Sequence, residues 1–419
     1  MMQTFTNDNL ITTEYSWKKW KLIWIIAFIA GFTLVARDSE TARETLIGLG
    51  QLHRVISITM LGLIAISFFL RNPSVPFKSI LFFWTFFACW QILTVLWSTF
   101  PSWTLYRAVE YLIMVLITAY CANYLISLEQ WTKWVNLVWI FIGCLLVSVW
   151  LGALISPDSA IVATHRPGIV PWYVKGIYPK INPNTISMYA GIICIVAFVR
   201  NITVPANKWK IIFLLAFVTM LLSQGRSGLG GFAVGLLLAI LLLRQYKLIF
   251  ILSVAIIMAV IFYAFDELLW EIFRRGQTEE QFLLLSGRKV IWDYAYYSFI
   301  INNPLTGFGA YAAGRFLVLE ETYGWSSLHS TWVEIAVGNG IPATILFACI
   351  VIYCWFVLVK HCVNNYAEKN NHYFIELSAV YSALIFRSIF TTVFFVHSDI
   401  VFFLVIGSVF FILKNYRYS

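Results

Sequence analysis

Runs of about 20 apolar residues, each long enough to cross a hydrocarbon layer about 30 Å thick as a helix, recur along this chain from Leu22 to Leu413. A chain so patterned has no aqueous fold open to it. With 60% hydrophobic and 12% charged residues, it lacks the polar surface of a water-soluble domain, in which about a quarter of residues are charged. In lipid every backbone N–H and C=O must find a partner within the protein, which favours helices. The predicted fold is therefore all-α, a polytopic integral membrane protein of about 12 transmembrane helices with one large extracytoplasmic loop. The whole chain, 1–419, is expected to form a single transmembrane domain.

Apolar windows and their polar punctuation place spans near 22–36, 48–70, 79–97, 105–126, 135–156, 184–199, 209–223, 228–243, 248–266, 330–359, 376–395 and 398–413. The first run follows Lys18, Lys19 and Lys21, lacks a small-residue cleavage site and leads into further spans, so it reads as a retained helix. An even count puts both termini on one side, and these lysines with Lys414 and Arg417 assign that side to the cytoplasm. Arg71, Lys78, Lys133, Arg200, Lys208, Lys210, Arg244, Lys247, Lys360 and Lys369 then fall in inward loops. Two outward segments are long, 157–183 and 267–328, and function is expected there.

The formal charge of +9 has no long basic run behind it, which excludes a nucleic-acid footprint. Sorted by predicted side, the inward segments hold eleven Lys and four Arg, the remainder three Lys and eleven Arg. Lysine suffices for a topology signal, whereas the planar arginine fork grips phosphate oxygens in pairs and tolerates partial desolvation. An anionic, phosphate-bearing ligand is thus expected outside. Some arginines have a plainer role, and Arg107 and Glu110, three apart on one helix, are expected to pair. The seven cysteines form no CxxC and have no histidine at ligand spacing, so neither disulfides nor a metal site is predicted.

Three segments carry the chemistry. Ser223-Gln-Gly-Arg226-Ser-Gly-Leu-Gly-Gly231 lies between two short apolar runs, where a buried arginine calls for a polar cavity or a partner. Ser286-Gly-Arg288-Lys289-Val-Ile-Trp292, followed by Asn303-Pro-Leu-Thr-Gly307-Phe-Gly309, lies in the large loop; the spacing from Val290 to Ile300 predicts an amphipathic surface helix headed by Arg288. His329-Ser-Thr-Trp332-Val-Glu334 through Gly338, Gly340 and Pro342 opens the tenth span, and a neutral imidazole there is suited to accept a proton near pH 7. Glu334 stands five residues on, about 140 degrees round a helix, and is not expected to orient His329.

Taken in order, the three segments resemble the O-antigen ligase and polymerase superfamily, including the exopolysaccharide polymerases. Trp97-Ser98 through Pro101 to Leu105 and Arg107, and Asn182-Pro-Asn184 at the head of the sixth span, extend the resemblance upstream. The resemblance implies a metal-independent glycosyltransferase of the bacterial inner membrane, with both termini cytoplasmic and a periplasmic active site. Its donor would be an undecaprenyl-diphosphate-linked glycan and its acceptor another glycan or lipid; no cofactor is implied. Arg226 and Arg288 match diphosphate-binding arginines and His329 the catalytic histidine; Arg107, Arg166 and Asn184 are candidates for donor or acceptor contacts. A flippase and a chain-length regulator are candidate partners.

The absence of DxD and of GxxxxGK[ST] argues against a metal-dependent nucleotide-sugar enzyme or an ATP-driven pump. Polymerisation of repeat units is favoured over transfer of a finished chain, on the likeness of the Trp97–Arg107 and Gly338–Pro342 stretches to the exopolysaccharide group. Two alternatives stay open: a polyprenyl-monophosphate enzyme with a carboxylate base among Asp38, Glu40 and Glu44, and a small-anion secondary transporter.

Overall fold

The computed structural model describes residues 18–29, 49–125, 127–163, 170–177, 181–244, 287–318, 328–368, 370–394 and 400–416. Arg166, the acidic residues Asp38, Glu40 and Glu44, the expected span at 248–266 and residues 267–286 of the large loop lie outside these. The described residues are mostly helical: α1 (18–29), α2 (Leu49–Arg71), α3 (Ile80–Leu93), α4 (Pro101–Tyr124), α5 (Leu128–Ile155), α6 (Pro183–Thr203), α7 (Asn207–Ser223), α8 (Arg226–Leu243), α9 (Arg288–Ala295), α10 (Thr331–Asn364), α11 (Asn371–Ser388) and α12 (Ile400–Asn415). Among the described residues six helices have the length and hydropathy to cross a membrane: Ile80–Trp97, Pro101–Tyr124, Leu128–Ile155, Pro183–Thr203, Arg226–Leu243 and Thr331–Asn364. Other expected spans, such as α7 with 17 residues and α12 with 16, are apolar but shorter. A small antiparallel hairpin, β1 (Ile161–Ala163) with β2 (Trp172–Val174), follows α5.

Aromatic side chains and small residues hold the bundle together. Trp131 of α5 stacks on Phe374 of α11 at 4.2 Å and on Phe411 of α12 at 5.7 Å, and its indole N–H donates to Ser408 Oγ at 3.1 Å. In the α8–α11 contact a Cβ on Gly231 would lie 2.9 Å from the Ala383 carbonyl, and one on Gly235 2.7 Å from that of Ala379. Small residues four apart on both helices thus let the backbones touch, the packing that drives helix association where no hydrophobic effect operates.

Between the far ends of α6 and α11 lies a buried charge network. Glu376 accepts from Arg200 Nε at 2.7 Å, Arg200 Nη2 at 2.9 Å and the Trp139 indole at 2.9 Å, while Arg200 Nη2 also donates to Asn136 Oδ1 at 2.7 Å. The Arg200 guanidinium lies between the rings of Trp209 and Tyr373, 5.1 and 5.2 Å from their centres. Removing one member of such a pair strands a charge, whereas replacing both by apolar groups is close to neutral. Glu376→Ala is therefore expected to cost about 3–5 kcal/mol, read as a lower melting temperature in detergent, and Arg200→Met with Glu376→Leu to recover most of that loss.

Candidate functional site

The N-termini of α4, α6, α8 and α10 and the C-terminus of α11 meet at the end of the bundle away from the Arg200–Glu376 network, and the functional segments sit there. The residue types of the last segment dictate a break. Gly340 takes φ 83, ψ 169, outside helical space, and Pro342 has no N–H to give. Two carbonyls, those of Val337 and Gly338, thereby lose their helical donors inside an apolar bundle. The Asn303–Gly309 loop replaces them: Phe308 N–H donates to Val337 O at 2.9 Å and Gly309 N–H to Gly338 O at 3.0 Å, while the Ile341 N–H turns to Pro304 O at 2.7 Å. Helix α10 is thus two helices joined end to end, with the 303–309 loop inserted as backbone partner. This approach leaves no room for side chains: a Cβ on Gly307 would come within 2.6 Å of Gly338 C, and one on Gly340 would collide with Leu305 O.

The upstream motif braces the same loop. Trp97 Nε1 donates to Thr306 O at 3.2 Å, Thr94 Oγ1 accepts from Ala310 N at 3.0 Å, and Thr104 Oγ1 donates to Ala310 O at 2.9 Å. Tyr311, at φ 61, donates its hydroxyl to Gln91 Oε1 at 2.8 Å, and burial pushes that phenol well above its ordinary pKa, so it stays a donor. Arg107 pairs with Glu110 at 2.7 Å, as its spacing predicts, and lies 5.5 Å over the Tyr311 ring. Its guanidinium is engaged in this brace.

Arg226 begins α8 after Gly225, and two residues ahead of it Gln224 stands in the left-handed region at φ 56. Gln224 Nε2 clasps the hairpin, donating to Val170 O and Trp172 O, both at 2.8 Å. The turn is seated on α6, where Ser187 Oγ donates to Gly225 O at 3.0 Å and a Cβ on Gly225 would meet Asn184 Cα at 3.3 Å. Asn184 is therefore a neighbour of the Arg226 turn. Arg288 begins α9, after Gly287 at φ 87. Ile291, Ala295 and Ile300 are buried while Val290, Tyr296 and Tyr297 are exposed, so the segment is two-faced as its spacing predicts.

These elements bring Arg288 within Coulombic reach of both Arg226 and His329. Burial, and then the charge of Arg226, lower the Arg288 pKa, and Arg288 Nε has no hydrogen-bond partner among the described residues. Burial first and the Arg288 charge second pull His329 from 6.5 down to about 4. Two cations held together beside an uncharged imidazole form a site for an anion, with a proton acceptor next to it.

Two further residues emerge only in three dimensions. Glu334 sends Oε1 back to accept the Leu328 N–H at 2.8 Å, so it reaches the backbone beside His329, a contact the helical angle between the two side chains does not address. Arg387, in the last turn of α11, is buried between Phe386, against which Gly230 packs, and Ser388, which accepts from Trp332 Nε1 at 3.0 Å. An arginine inside an apolar span was its only sequence signal.

Fold and site together define a helical membrane protein with a cationic mouth at one end of its bundle. Residues 211–348 match the family model of the O-antigen ligases, a stretch that takes in Arg226, Arg288, His329 and the break at Gly340. The match supports the O-antigen ligase and polymerase superfamily and, with it, membrane glycan processing of that type. No curated protein matches the chain in sequence.

Because its pKa is depressed, His329 is expected to be neutral at pH 7 and to gain its proton only as pH falls toward about 4. Modification by diethyl pyrocarbonate, which requires neutral imidazole, should therefore persist at His329 through pH 5.5 to 6 (roughly where an ordinary histidine is mostly protonated). In Arg288→Ala the half-point should move upward yet stay below 6.5, since burial is the larger cause.

Proposed function

We propose that this chain is a glycosyltransferase of the bacterial inner membrane that joins undecaprenyl-diphosphate-linked oligosaccharide repeat units on the periplasmic face, yielding exopolysaccharide or O-antigen. The observation that carries this reading is the gathering of Arg226, Arg288 and an uncharged His329 at one mouth of the bundle. A lipid diphosphate is a capable leaving group that mainly needs its developing charge stabilised, and two guanidinium forks meet that need with no metal in this scheme.

The acceptor sugar hydroxyl attacks the donor anomeric carbon while His329 takes the hydroxyl proton. The glycosidic C–O bond breaks, and its electron pair leaves with the undecaprenyl diphosphate. Binding of the diphosphate offsets the Arg288 charge, which otherwise disfavours imidazolium, so His329 becomes a better base when the donor is in place. Arg107, Arg166 and Asn184 remain candidates for sugar contacts; the place of Asn184 beside Gly225 supports it most directly. The orientation is supported by the lysines Lys78 and Lys414, which lie at the end opposite the site. A flippase and a chain-length regulator are proposed partners.

The second reading, transfer of a finished glycan to lipid A core or another acceptor, is favoured by the matched family's own description as O-antigen ligase. Both are tested by expressing variants in a strain deleted for this gene and resolving its glycans by size and carrier. Arg226→Ala, Arg288→Ala and His329→Ala are each expected to reduce product about 100-fold or more, and Arg→Lys at 226 or 288 to rescue little, since a point charge cannot form the fork. Accumulation of single lipid-linked repeats indicates polymerisation; accumulation of long lipid-linked chains indicates ligation. Full activity in His329→Ala at normal expression rejects the mechanism.

A further inference from the structure

Leu328, the residue before His329, is held at both of its backbone polar groups. Its N–H donates to Glu334 Oε1 at 2.8 Å, and its C=O accepts the Trp292 indole N–H at 2.8 Å. Glu334 belongs to the first turns of α10 and Trp292 to α9, the helix that Arg288 begins. The Leu328 side chain is buried in a small core separate from that of the main bundle, formed with Ile291, Ala295, Ala313, Val318 and Val337. His329 itself stands at φ 52, a left-handed backbone that a non-glycine residue holds only when its neighbours impose it.

We infer that Glu334 and Trp292 are positioning residues for the reaction, clamping the Leu328 peptide groups so that His329 and Arg288 keep a fixed relation. The inference rests on the proposed role of His329. A side-chain carboxylate reaching back past the start of its own helix resembles a capping box, here from one residue further into the helix to a backbone N–H two residues before the N-cap, and it satisfies a donor that lies outside the helix. The indole bond ties that same residue to the arginine-bearing helix. Through one peptide unit, then, the group that takes the proton and a group that holds the leaving anion share a mount. Gly314 is the third part of this arrangement: a Cβ there would collide with Glu334 Oε2 and lie 3.1 Å from Leu328 Cδ1. Only a bare backbone at 314 leaves the carboxylate room to sit where it reaches Leu328.

The chemistry separates this role from general packing. Glu334→Gln keeps an oxygen able to accept the Leu328 N–H, whereas Glu334→Ala removes it; Trp292→Phe keeps the ring and removes only the indole donor. Two readouts apply: amide hydrogen exchange at Leu328 in the purified full-length protein in lipid nanodiscs, with no donor present, and the glycan size profile of the complemented deletion strain. Glu334→Ala is expected to speed Leu328 exchange about tenfold, the worth of one hydrogen bond, and to deplete product strongly. Glu334→Gln should stay near wild type in both. Gly314→Ala should resemble Glu334→Ala, and Trp292→Phe should lower product several-fold with little change in melting temperature.

Unchanged Leu328 exchange in Glu334→Ala overturns the clamp. Faster exchange with wild-type product overturns its service to the reaction, as does failure of Glu334→Gln to restore product at normal expression. Activity in His329→Ala, by contrast, overturns the reading of the site while the exchange data still report on the clamp.

Discussion

A carbonyl stranded in an apolar bundle is the constraint on which the site end of this protein is built. Breaking α10 at Gly340 frees the Val337 and Gly338 carbonyls, and hydrocarbon offers them nothing. The 303–309 loop is drawn in to satisfy them and must then be held, which falls to Trp97, Thr94 and Thr104 on the neighbouring segments. From that anchored loop the chain continues through Ala310 and Tyr311 into the small core that seats Leu328. The position of His329 is thus traceable, bond by bond, to a glycine and a proline inside a span.

Electrostatics adds a second demand. Arg226 and Arg288 repel each other, and burial makes Arg288 more costly to keep charged, a cost that an anion beside them would offset. The framework resists that repulsion by fixing each arginine at a helix start whose backbone is pinned elsewhere: Gln224 holds the turn before Arg226, and Trp292 anchors the helix after Arg288. Burial, and after it the charge of Arg288, keeps His329 uncharged, so one arginine acts on both of its charged or titratable neighbours.

Much of this was legible in the sequence, and what was not failed for identifiable reasons. Apolar runs mark helices reliably in a chain that has only lipid as solvent, and the Arg107–Glu110 spacing gave a pair that exists. The three motif segments do converge. The break in α10 was hidden because a hydropathy window averages across Gly340, although Gly-Asn-Gly-Ile-Pro carries every residue needed to make it. Glu334 was set aside on helical angle, an argument valid for side chain against side chain, whereas its contact is with a backbone N–H ahead of the helix. Gln224 binds carbonyls 54 and 52 residues away, and such a contact leaves no local pattern to read.

The loop that completes α10 does so entirely with main-chain atoms. Contacts of that kind are blind to side-chain identity, so sequence is constrained along the seam at the glycines, at Pro342 and where side chains hold the loop itself, as Asn303 does by donating to Gly307 O at 2.7 Å and accepting from Thr306 Oγ1 at 2.9 Å. Leu305 sits on the seam with its side chain largely exposed, and Ile341 with its side chain partly so. A lineage could therefore rewrite the chemical character of this surface while the scaffold beneath it stays in register. Surface variation and a constant framework are compatible here because they are encoded in different atoms of the same residues.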